Sequence, residues 1–233
     1  MLSVVIPAFN EQDTIQKALE EIIVYFGRQA VEIIVVDDGC TDRTPFLVDD
    51  FKDKRVRRVR QPRNMGKGAA VRRGMLEAHG QHILFLDADM STPIKELANC
   101  RKVKADVVVG SRALKDSVIS VHQPFYRELL GKTFNKIVQV LAVPGVWDTQ
   151  CGFKLFSQRA AKEIFSRSFI DGFGFDVEAL FLARKLGFSI KEVPVTWIDN
   201  PDSKVKPVKD ALRMFRDIFR IRWHSLFGRY GQV

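Results

Sequence analysis

The sequence predicts an α/β fold built on a doubly wound, mostly parallel sheet. Short runs rich in Val and Ile alternate with amphipathic helical patterns, several runs are apolar on both faces, and the links between them are short. Strands that are apolar on both faces are covered by helices on both sides, as in parallel α/β sheets. No Gly/Ser linker, repeat or low-complexity tract interrupts the chain, so we expect one domain over residues 1–233.

The first half alternates strands with helices. Strands are predicted at Leu2–Pro7, Glu32–Val36, Val56–Arg60, His82–Leu86 and Asp106–Val109. Helices are predicted at Asn10–Phe26, Thr41–Phe51, Lys67–His79 and Pro93–Val103. Asn10 is expected to cap the first helix, because an Asn side chain accepts hydrogen bonds from the free N–H groups of a first helical turn.

The second half is richer in helices. Helices are predicted at Gln123–Val143, near Ser157–Phe165, near Phe175–Leu186 and at Val208–Phe227, with a loop at Pro144–Gly152 and a strand at Ser189–Val195. The last helix carries an apolar stripe with arginines between its members: Leu212, Phe215, Phe219, Trp223 and Leu226. This stripe either packs on the sheet or lies in a membrane interface with the arginines on lipid phosphates.

Composition narrows the class of protein. The 233 residues are 46% hydrophobic and 28% charged, which excludes disorder and collagen-like structure. The formal net charge of +9 favours an anionic partner. Cys40, Cys100 and Cys151 form no CxxC pair, which is typical of a reduced cytosolic protein. We expect neither a signal peptide nor a membrane span, since no apolar stretch reaches the ~18 residues that a span requires.

Polar residues follow four of the predicted strands, where ligands bind in open parallel sheets. These residues are Asn10-Glu11, Asp37-Asp38, Asp87-Ala88-Asp89 and Gly110-Ser111-Arg112. Asp87 and Asp89 are two residues apart, so in extended backbone their carboxylates share one side. Converging carboxylates repel unless a cation lies beside them, and Mg²⁺ or Mn²⁺ held jointly with substrate phosphates suits such a pair. The alternative is that one of them caps the helix predicted from Pro93.

Two further segments have both a functional and a structural interpretation. Asp38 at a strand end suits a nucleobase N–H or ribose hydroxyls, but Asp38-Gly39 is also a common turn pair. Lys67, between two glycines at a helix start, suits a phosphate, although a tight turn with a solvated lysine accounts for it equally. A dinucleotide-binding fold and a P-loop ATPase are disfavoured, because GxGxxG does not follow the first strand and GxxxxGK[ST] does not occur.

Five segments, in this order, resemble glycosyltransferase family 2: PAFNE (7–11), VVDDGCTD (35–42), RNMGKGAAVRRG (63–74), LFLDADMSTP (84–93) and GSR (110–112). Three later segments look like its dolichyl-phosphate β-glucosyltransferase branch, and dolichyl-phosphate mannose synthases differ there: DTQCGFK (148–154), GFGFDVE (172–178) and SKVKPVKD (203–210). Two residues depart from the family. Phe9 stands where Tyr is frequent, and Cys40 replaces a Ser, which weakens any hydrogen bond there.

The resemblance implies a single GT-A catalytic domain, with a nucleotide-sugar half at 1–112 and an acceptor half at 113–233. It implies an inverting transfer of glucose from UDP-glucose to dolichyl or polyprenyl phosphate, which supplies protein N-glycosylation or cell-envelope glycans. It also implies that Asp87 and Asp89 hold Mg²⁺ or Mn²⁺, with Asp89 on the diphosphate. The residues implied to bind the nucleotide sugar are Pro7, Phe9, Glu11, Asp38, Lys67, Asp87, Ala88 and Asp89.

An acceptor phosphate is already an anion at neutral pH, its second pKa being about 6, so it needs cations more than a base. Within the family motifs Arg112, Arg127 and Lys204 are the candidates, whereas Arg159 is better explained as a solvated helix charge. Asp148 either orients the acceptor, acts as a base or caps a turn. A lipid acceptor also implies peripheral contact with an anionic membrane, at its cytoplasmic face. We expect no N-terminal anchor of the kind that eukaryotic members of this branch carry, which favours a prokaryotic relative.

Other functions remain as alternatives. The nearest use GDP-mannose or UDP-N-acetylglucosamine on the same lipid. A nucleic-acid-binding module is suggested only by the pI of about 9.6, and the acidic strand ends would repel phosphate without a metal, so no nucleic acid is expected. A catalytically dead scaffold is disfavoured by the intact DxD, GSR and SK motifs. The sequence gives no oligomeric state.

Overall fold

A computed structural model describes residues 1–120, 135–198 and 207–231, with side chains from residue 212 onward in the last range. The strands are β1 Leu2–Ala8, β2 Val31–Asp37, β3 Val56–Arg60, β4 His82–Leu86, β5 Val107–Ser111, β6 Val118–Ile119, β7 Phe153–Ser157, β8 Ile190–Pro194 and β9 Thr196–Trp197. The helices are α1 Ile15–Phe26, α2 Thr44–Asp49, α3 Lys67–Glu77, α4 Leu97–Arg101, α5 Gln158–Phe165, α6 Phe175–Lys185 and α7 Pro207–Leu226. Residues 135–141 are also helical.

The central sheet has seven strands in the order β3-β2-β1-β4-β7-β5-β8. Its neighbouring strands are parallel except around β7, which runs antiparallel to both β4 and β5. A short parallel pair, β6 and β9, lies apart from it. The predicted α/β class with a mostly parallel sheet is therefore confirmed, and β7 from the second half of the chain lies inside the sheet of the first half.

Two apolar cores within the described residues cover the two faces of this sheet. Val5 of β1 belongs to one core, which α3, α5, α6 and α7 complete. Val4 and Ile6 belong to the other, which α1 and α4 complete. Neighbouring residues of a strand point to opposite faces. The strands that are apolar at every position are therefore those with helices on both sides, as the sequence predicted.

The predicted start of the first helix is wrong. α1 begins at Ile15, whereas Asn10 has a φ of +55° and lies in the preceding loop. The Asn10 Oδ1 accepts a hydrogen bond from the backbone N–H of Thr41 at 2.8 Å, so it caps a neighbouring turn and not its own helix. This loop carries Phe9 and Glu11 along the carboxyl edge of the sheet.

Strand β7 was not predicted at all. The sequence suggested a loop to Gly152 and then a helix near Ser157, and Ser157 does cap α5 by accepting from the N–H of Ala160. The missed strand has a lysine at its second position, Lys154, which is 1% exposed. A central strand is predicted from an uninterrupted run of apolar residues, so a charged residue within a short run removes the pattern that would identify it.

Candidate active site

The two carboxylates of the DxD segment lie just beyond the carboxyl end of β4. Asp87 Oδ1 is 2.8 Å from the Nζ of Lys67, and Asp89 Oδ1 accepts the N–H of Ser91 at 3.0 Å. Burial raises the pKa of Asp89 above its ordinary value, and the charge of Asp87 raises it further. Ala88 between them is buried in the core. The helical turn that begins at Ile94 has no capping side chain, so the capping alternative is wrong.

The donor set at this position suits a divalent cation that a substrate completes. Within residues 1–120, 135–198 and 207–231 no group of three or more His, Cys, Asp or Glu side chains is arranged around a metal position. Mg²⁺ is usually held by one or two carboxylates and by substrate phosphates, not by an all-protein cage. Asp87 and Asp89 offer two carboxylates whose negative charges repel each other. This pair fits that mode of binding.

Lys67 is turned toward the DxD segment. The preceding Gly66 has a φ of +106°, and a Cβ there would lie 2.4 Å from the carbonyl oxygen of Asp171, so only glycine fits. Burial lowers the pKa of Lys67, but the charges of Asp87, Asp176 and Asp89 outweigh it and hold this pKa above its ordinary value. Lys67 is therefore a charged member of the site, and the interpretation as a solvated lysine is wrong.

Asp38 shapes the loop that leads to Lys67. Its buried carboxylate accepts hydrogen bonds from Gln61 Nε2 and from the backbone N–H groups of Met65 and Gly66, at 2.9, 2.7 and 2.9 Å. Burial raises the pKa of Asp38, against these three hydrogen bonds. The Asp38 carboxylate thus holds the loop that contains Met65 and Gly66 against the end of β2.

The end of β1 lies beside Asp38, whose N–H donates to the carbonyl of Ala8 at 2.9 Å. Pro7, Phe9 and Glu11 are half-buried along this edge, and the Glu11 carboxylate accepts from the Thr14 hydroxyl at 2.8 Å. The thiol of Cys40 donates to the Ala8 carbonyl at 3.4 Å. It also accepts from the N–H of Asn10 at 3.3 Å, and burial raises its pKa to about 12. This neutral thiol links the β1 and β2 ends.

Arg112 and Asp148 form a second charged centre at the same edge. Arg112 Nε and Nη2 donate to the two Asp148 oxygens at 2.7 and 2.9 Å, and the Arg112 N–H donates to Asp148 Oδ2 at 2.9 Å. The Arg112 guanidinium lies 5.2 Å from the ring centroid of Trp197. The charge of Asp87 also acts on Arg112, so the two centres are close enough to interact.

Asp148 is held from both sides. Glu192 of β8 accepts the N–H groups of Trp147 and Asp148 at 2.8 and 2.9 Å, which fixes the loop that carries the carboxylate. Burial raises the pKa of Asp148, but the Arg112 guanidinium outweighs it and holds this pKa below the ordinary value. A carboxylate that is ionised and whose two oxygens already accept hydrogen bonds is better suited to orient its partner than to accept a proton.

Of the other cations considered for the acceptor phosphate, the described residues include Arg159 alone. Arg127 and Lys204 lie outside the described residues. Arg159 is exposed on α5, 5.7 Å from the ring centroid of Phe188, and its charge acts on Asp106 at the opposite end of β5. Arg159 is therefore a surface charge remote from the site, which the sequence interpretation favoured.

Sequence reasoning missed two charged residues beneath the site. Lys154 and Asp176 are both buried, and the Lys154 Nζ lies 2.5 Å from Asp176 Oδ1. A signal was present, since a lysine inside the apolar run FKLF and an aspartate in GFGFDVE are unusual in otherwise apolar segments.

The predicted apolar stripe on the last helix faces outward. Phe219 and Trp223 are 55% and 60% exposed, and Leu212, Phe215 and Leu226 are exposed as well. The opposite side of α7 supplies Ile218 and Ile221 to the core. The stripe therefore does not pack on the sheet, and exposed arginines flank it: Arg213, Arg216, Arg220 and Arg222. None of the helices in the described ranges has the length and apolar character needed to cross a bilayer.

Comparison with known proteins agrees with this geometry. Residues 3–165 match the family model "Glycosyl transferase family 2". A dolichyl-phosphate beta-glucosyltransferase of Dictyostelium discoideum is 38% identical over 246 residues, which cover 97% of this chain and 75% of the relative. One from Trichomonas vaginalis is 38% identical over 244 residues, which cover 97% and 71%.

The fold is also found among solved structures. Glucosyl-3-phosphoglycerate synthase from Mycobacterium tuberculosis, crystallised with Mn²⁺, UDP-glucose and phosphoglyceric acid, superposes with a TM-score of 0.70 at 20% identity. The match covers 99% of this chain and 79% of that one. At this identity the likeness concerns the fold.

Proposed function

Since the chain belongs to glycosyl transferase family 2 and has the GT-A fold of its structural neighbours, we propose that it transfers glucose from UDP-glucose to dolichyl or polyprenyl phosphate. The observation that carries this proposal is the carboxylate pair Asp87 and Asp89, which lies beside Lys67 and within electrostatic range of Arg112. The relatives' names support glucose and the lipid phosphate. The neighbour crystallised with UDP-glucose supports the donor.

The donor would lie along the carboxyl ends of β1, β2 and β4. Pro7, Phe9 and Glu11 line the nucleoside end, and Asp38 contributes by ordering the loop before Lys67. Asp87 and Asp89 would hold Mg²⁺ or Mn²⁺, which when bound neutralises the charge that develops on the departing diphosphate. The Lys67 ammonium adds a second positive charge beside Asp87, within reach of the same phosphates.

The acceptor would be bound by Arg112, together with Arg127 and Lys204 of the family motifs. A lipid phosphate needs no deprotonation to attack the anomeric carbon, because it is already an anion at neutral pH. Asp148 in this proposal is not the base. It fixes the guanidinium of Arg112 through two hydrogen bonds, so that the remaining donors face the acceptor. Residues 1–112 then form the donor half and residues 113–233 the acceptor half.

A lipid acceptor would bring the enzyme to a membrane, and we assign the contact to the exposed stripe of α7 defined above. Its aromatic side chains would enter the interface, and the flanking arginines would meet anionic headgroups. The protein would act peripherally on the cytoplasmic face, where its sugar nucleotide is available, and its product would supply N-glycosylation or envelope glycans.

The structure also brings α7 next to the acceptor centre. Gln150, in the loop that carries Asp148, donates to the sulfur of Met214 at 2.9 Å.

Replacing Phe219 and Trp223 together by Gln should weaken binding to vesicles that contain anionic phospholipid by about 10-fold or more, because each change removes an exposed aromatic ring from the interface. The melting temperature should stay unchanged, since both side chains are exposed. Removing residues 208–233 is a poorer test, because it takes Ile218, Ile221 and Tyr230 out of the core.

Phe46→Gln is the matched control for this vesicle experiment, because Phe46 is 60% exposed on α2, an element that does not contain the stripe. It should leave vesicle binding intact. If the Phe219/Trp223 variant binds as tightly as the unaltered protein, the membrane contact lies elsewhere.

Product formation tests the proposed reaction directly. The protein is incubated with Mg²⁺, a polyprenyl phosphate and one of three donors: UDP-glucose, GDP-mannose or UDP-N-acetylglucosamine. We expect sugar in the lipid extract with UDP-glucose, at a rate well above that with the other two donors. Preferential transfer from GDP-mannose would reassign the sugar, and no lipid-linked sugar from any donor would remove the proposed reaction.

A further inference from the structure

A buried charged pair joins the middle of the sheet to α6, beneath the proposed metal site. Lys154 of β7 is paired in register with Phe85 of β4 and Val109 of β5. Its Nζ donates to Asp176 Oδ1 at 2.5 Å and to the carbonyl oxygen of Cys151 at 2.6 Å. A buried ion pair is often no more stabilising than apolar side chains of similar volume. Stability of the fold is therefore a weak reason for these charges.

The carbonyl that Lys154 holds belongs to the turn on which Asp87 rests. Gly152 follows Cys151, and its carbonyl accepts the N–H of Asp87 at 3.1 Å. A Cβ on Gly152 would come within 1.9 Å of Asp87 Oδ2, so the carboxylate lies directly against the glycine Cα. Any shift of this turn must therefore move the Asp87 carboxylate.

Lys67 holds the same carboxylate from the other side. Its Nζ is 2.8 Å from Asp87 Oδ1 and 5.7 Å from the ring centroid of Phe85, and Lys154 Nζ is 5.6 Å from the same centroid. The charge of Asp176 also acts on Lys67. Two lysines thus lie near one phenylalanine ring of β4, and each is paired with an aspartate, Lys67 with Asp87 and Lys154 with Asp176.

We propose that Lys154, with Asp176 as its counterion, is a positioning residue for the metal-binding carboxylate of Asp87. Lys154 fixes the Cys151 carbonyl and thereby Gly152, and Gly152 sets the direction in which Asp87 presents its oxygens. The inference rests on the proposed metal role of Asp87 and Asp89. Changing the outer partners of metal ligands typically lowers metal affinity by about 10–100-fold.

The test compares a single with a double variant. Lys154→Met leaves Asp176 buried without the ammonium that donates to it and should destabilise the fold. Lys154→Met with Asp176→Val removes both charges, so its melting temperature should return toward that of the unaltered protein. The readout is Mn²⁺ affinity in the presence of UDP, measured from the electron paramagnetic resonance signal of free Mn²⁺. We expect the double variant to bind Mn²⁺ about 10-fold more weakly or worse, despite its recovered stability.

Gly152→Ala tests the same step without touching the buried pair. Its Cβ would displace the Asp87 carboxylate, so Mn²⁺ affinity should fall as well. Lys162→Met is the matched control, because Lys162 also donates to backbone carbonyls, those of Met75 and Ala78, at the end of α3 remote from Lys67. It should leave Mn²⁺ affinity unchanged.

The outcomes separate the inference from the function on which it rests. If the unaltered protein with UDP binds no Mn²⁺, the metal role fails and the inference with it. If the unaltered protein binds Mn²⁺ and Asp89→Asn does not, the metal role stands. Wild-type Mn²⁺ affinity in a stable double variant, or in Gly152→Ala, would then overturn the positioning role of Lys154 alone.

Discussion

Asp89→Asn should lower the rate of glucose transfer by about 10²-fold or more, which corresponds to about 2.7 kcal/mol of transition-state stabilisation. The substitution keeps the shape of the side chain, and the Asn oxygen can still accept the Ser91 N–H that Asp89 Oδ1 accepts at 3.0 Å. What it removes is one of two negative charges at the end of β4. The cation on the diphosphate would then have Asp87 alone as its carboxylate ligand, and Lys67 already competes for that oxygen.

Two measurements make this result specific to the metal. The rate is followed against Mg²⁺ and Mn²⁺ concentration with saturating UDP-glucose and polyprenyl phosphate, and a thermal melt establishes that the variant is folded. Asp50→Asn, at an exposed carboxylate paired with Lys52, serves as the control and should be fully active. Near-normal metal-dependent turnover of Asp89→Asn would remove Asp89 from the metal site.

The sequence located β1 to β5 to within one or two residues. β1, β2, β4 and β5 are short apolar or β-branched runs between helical patterns. β3 contains three arginines, and it was located from its place in the alternation of strands and helices. The start of α1 was missed because Asn10 adopts a positive φ and bonds to Thr41, a tertiary contact that local preference does not contain. β7 was missed because Lys154 breaks its apolar run, and the counterion that makes this lysine tolerable in a sheet comes from α6.

The same distinction applies to the site. Motifs identified Asp87, Asp89, Lys67, Arg112 and Asp148 individually, since each follows or precedes a recognisable strand or glycine turn. Motifs did not identify the pairs. Lys67 with Asp87, and Arg112 with Asp148, are brought together only by the sheet order, in which β7 separates β4 from β5. The sequence left Asp148 with three possible roles. It caps its own turn, because its Oδ1 accepts the N–H of Gln150 at 3.2 Å, and its two hydrogen bonds to the Arg112 guanidinium favour a positioning role as well.

Arg112→Met should lower kcat/KM for the polyprenyl phosphate by about 10²-fold, mainly through KM of the acceptor, because a charge-assisted contact to the phosphate is lost. It should also destabilise the fold by about 2–3 kcal/mol, less than a fully buried pair would cost because Arg112 is 28% exposed. The cause is the Asp148 carboxylate, which is 1% exposed and would lose its partner.

The double variant Arg112→Met/Asp148→Asn separates these two effects. Removing the orphaned charge should restore most of the free energy of unfolding, measured by urea titration, while acceptor use stays as poor as in Arg112→Met. Recovery of acceptor kcat/KM together with stability would mean that Arg112 only holds the fold.

Asp148→Asn alone retains the arginine and should raise the acceptor KM with a smaller change in kcat. A base would behave differently, because its loss would abolish kcat at every acceptor concentration and remove the acidic limb of the pH profile.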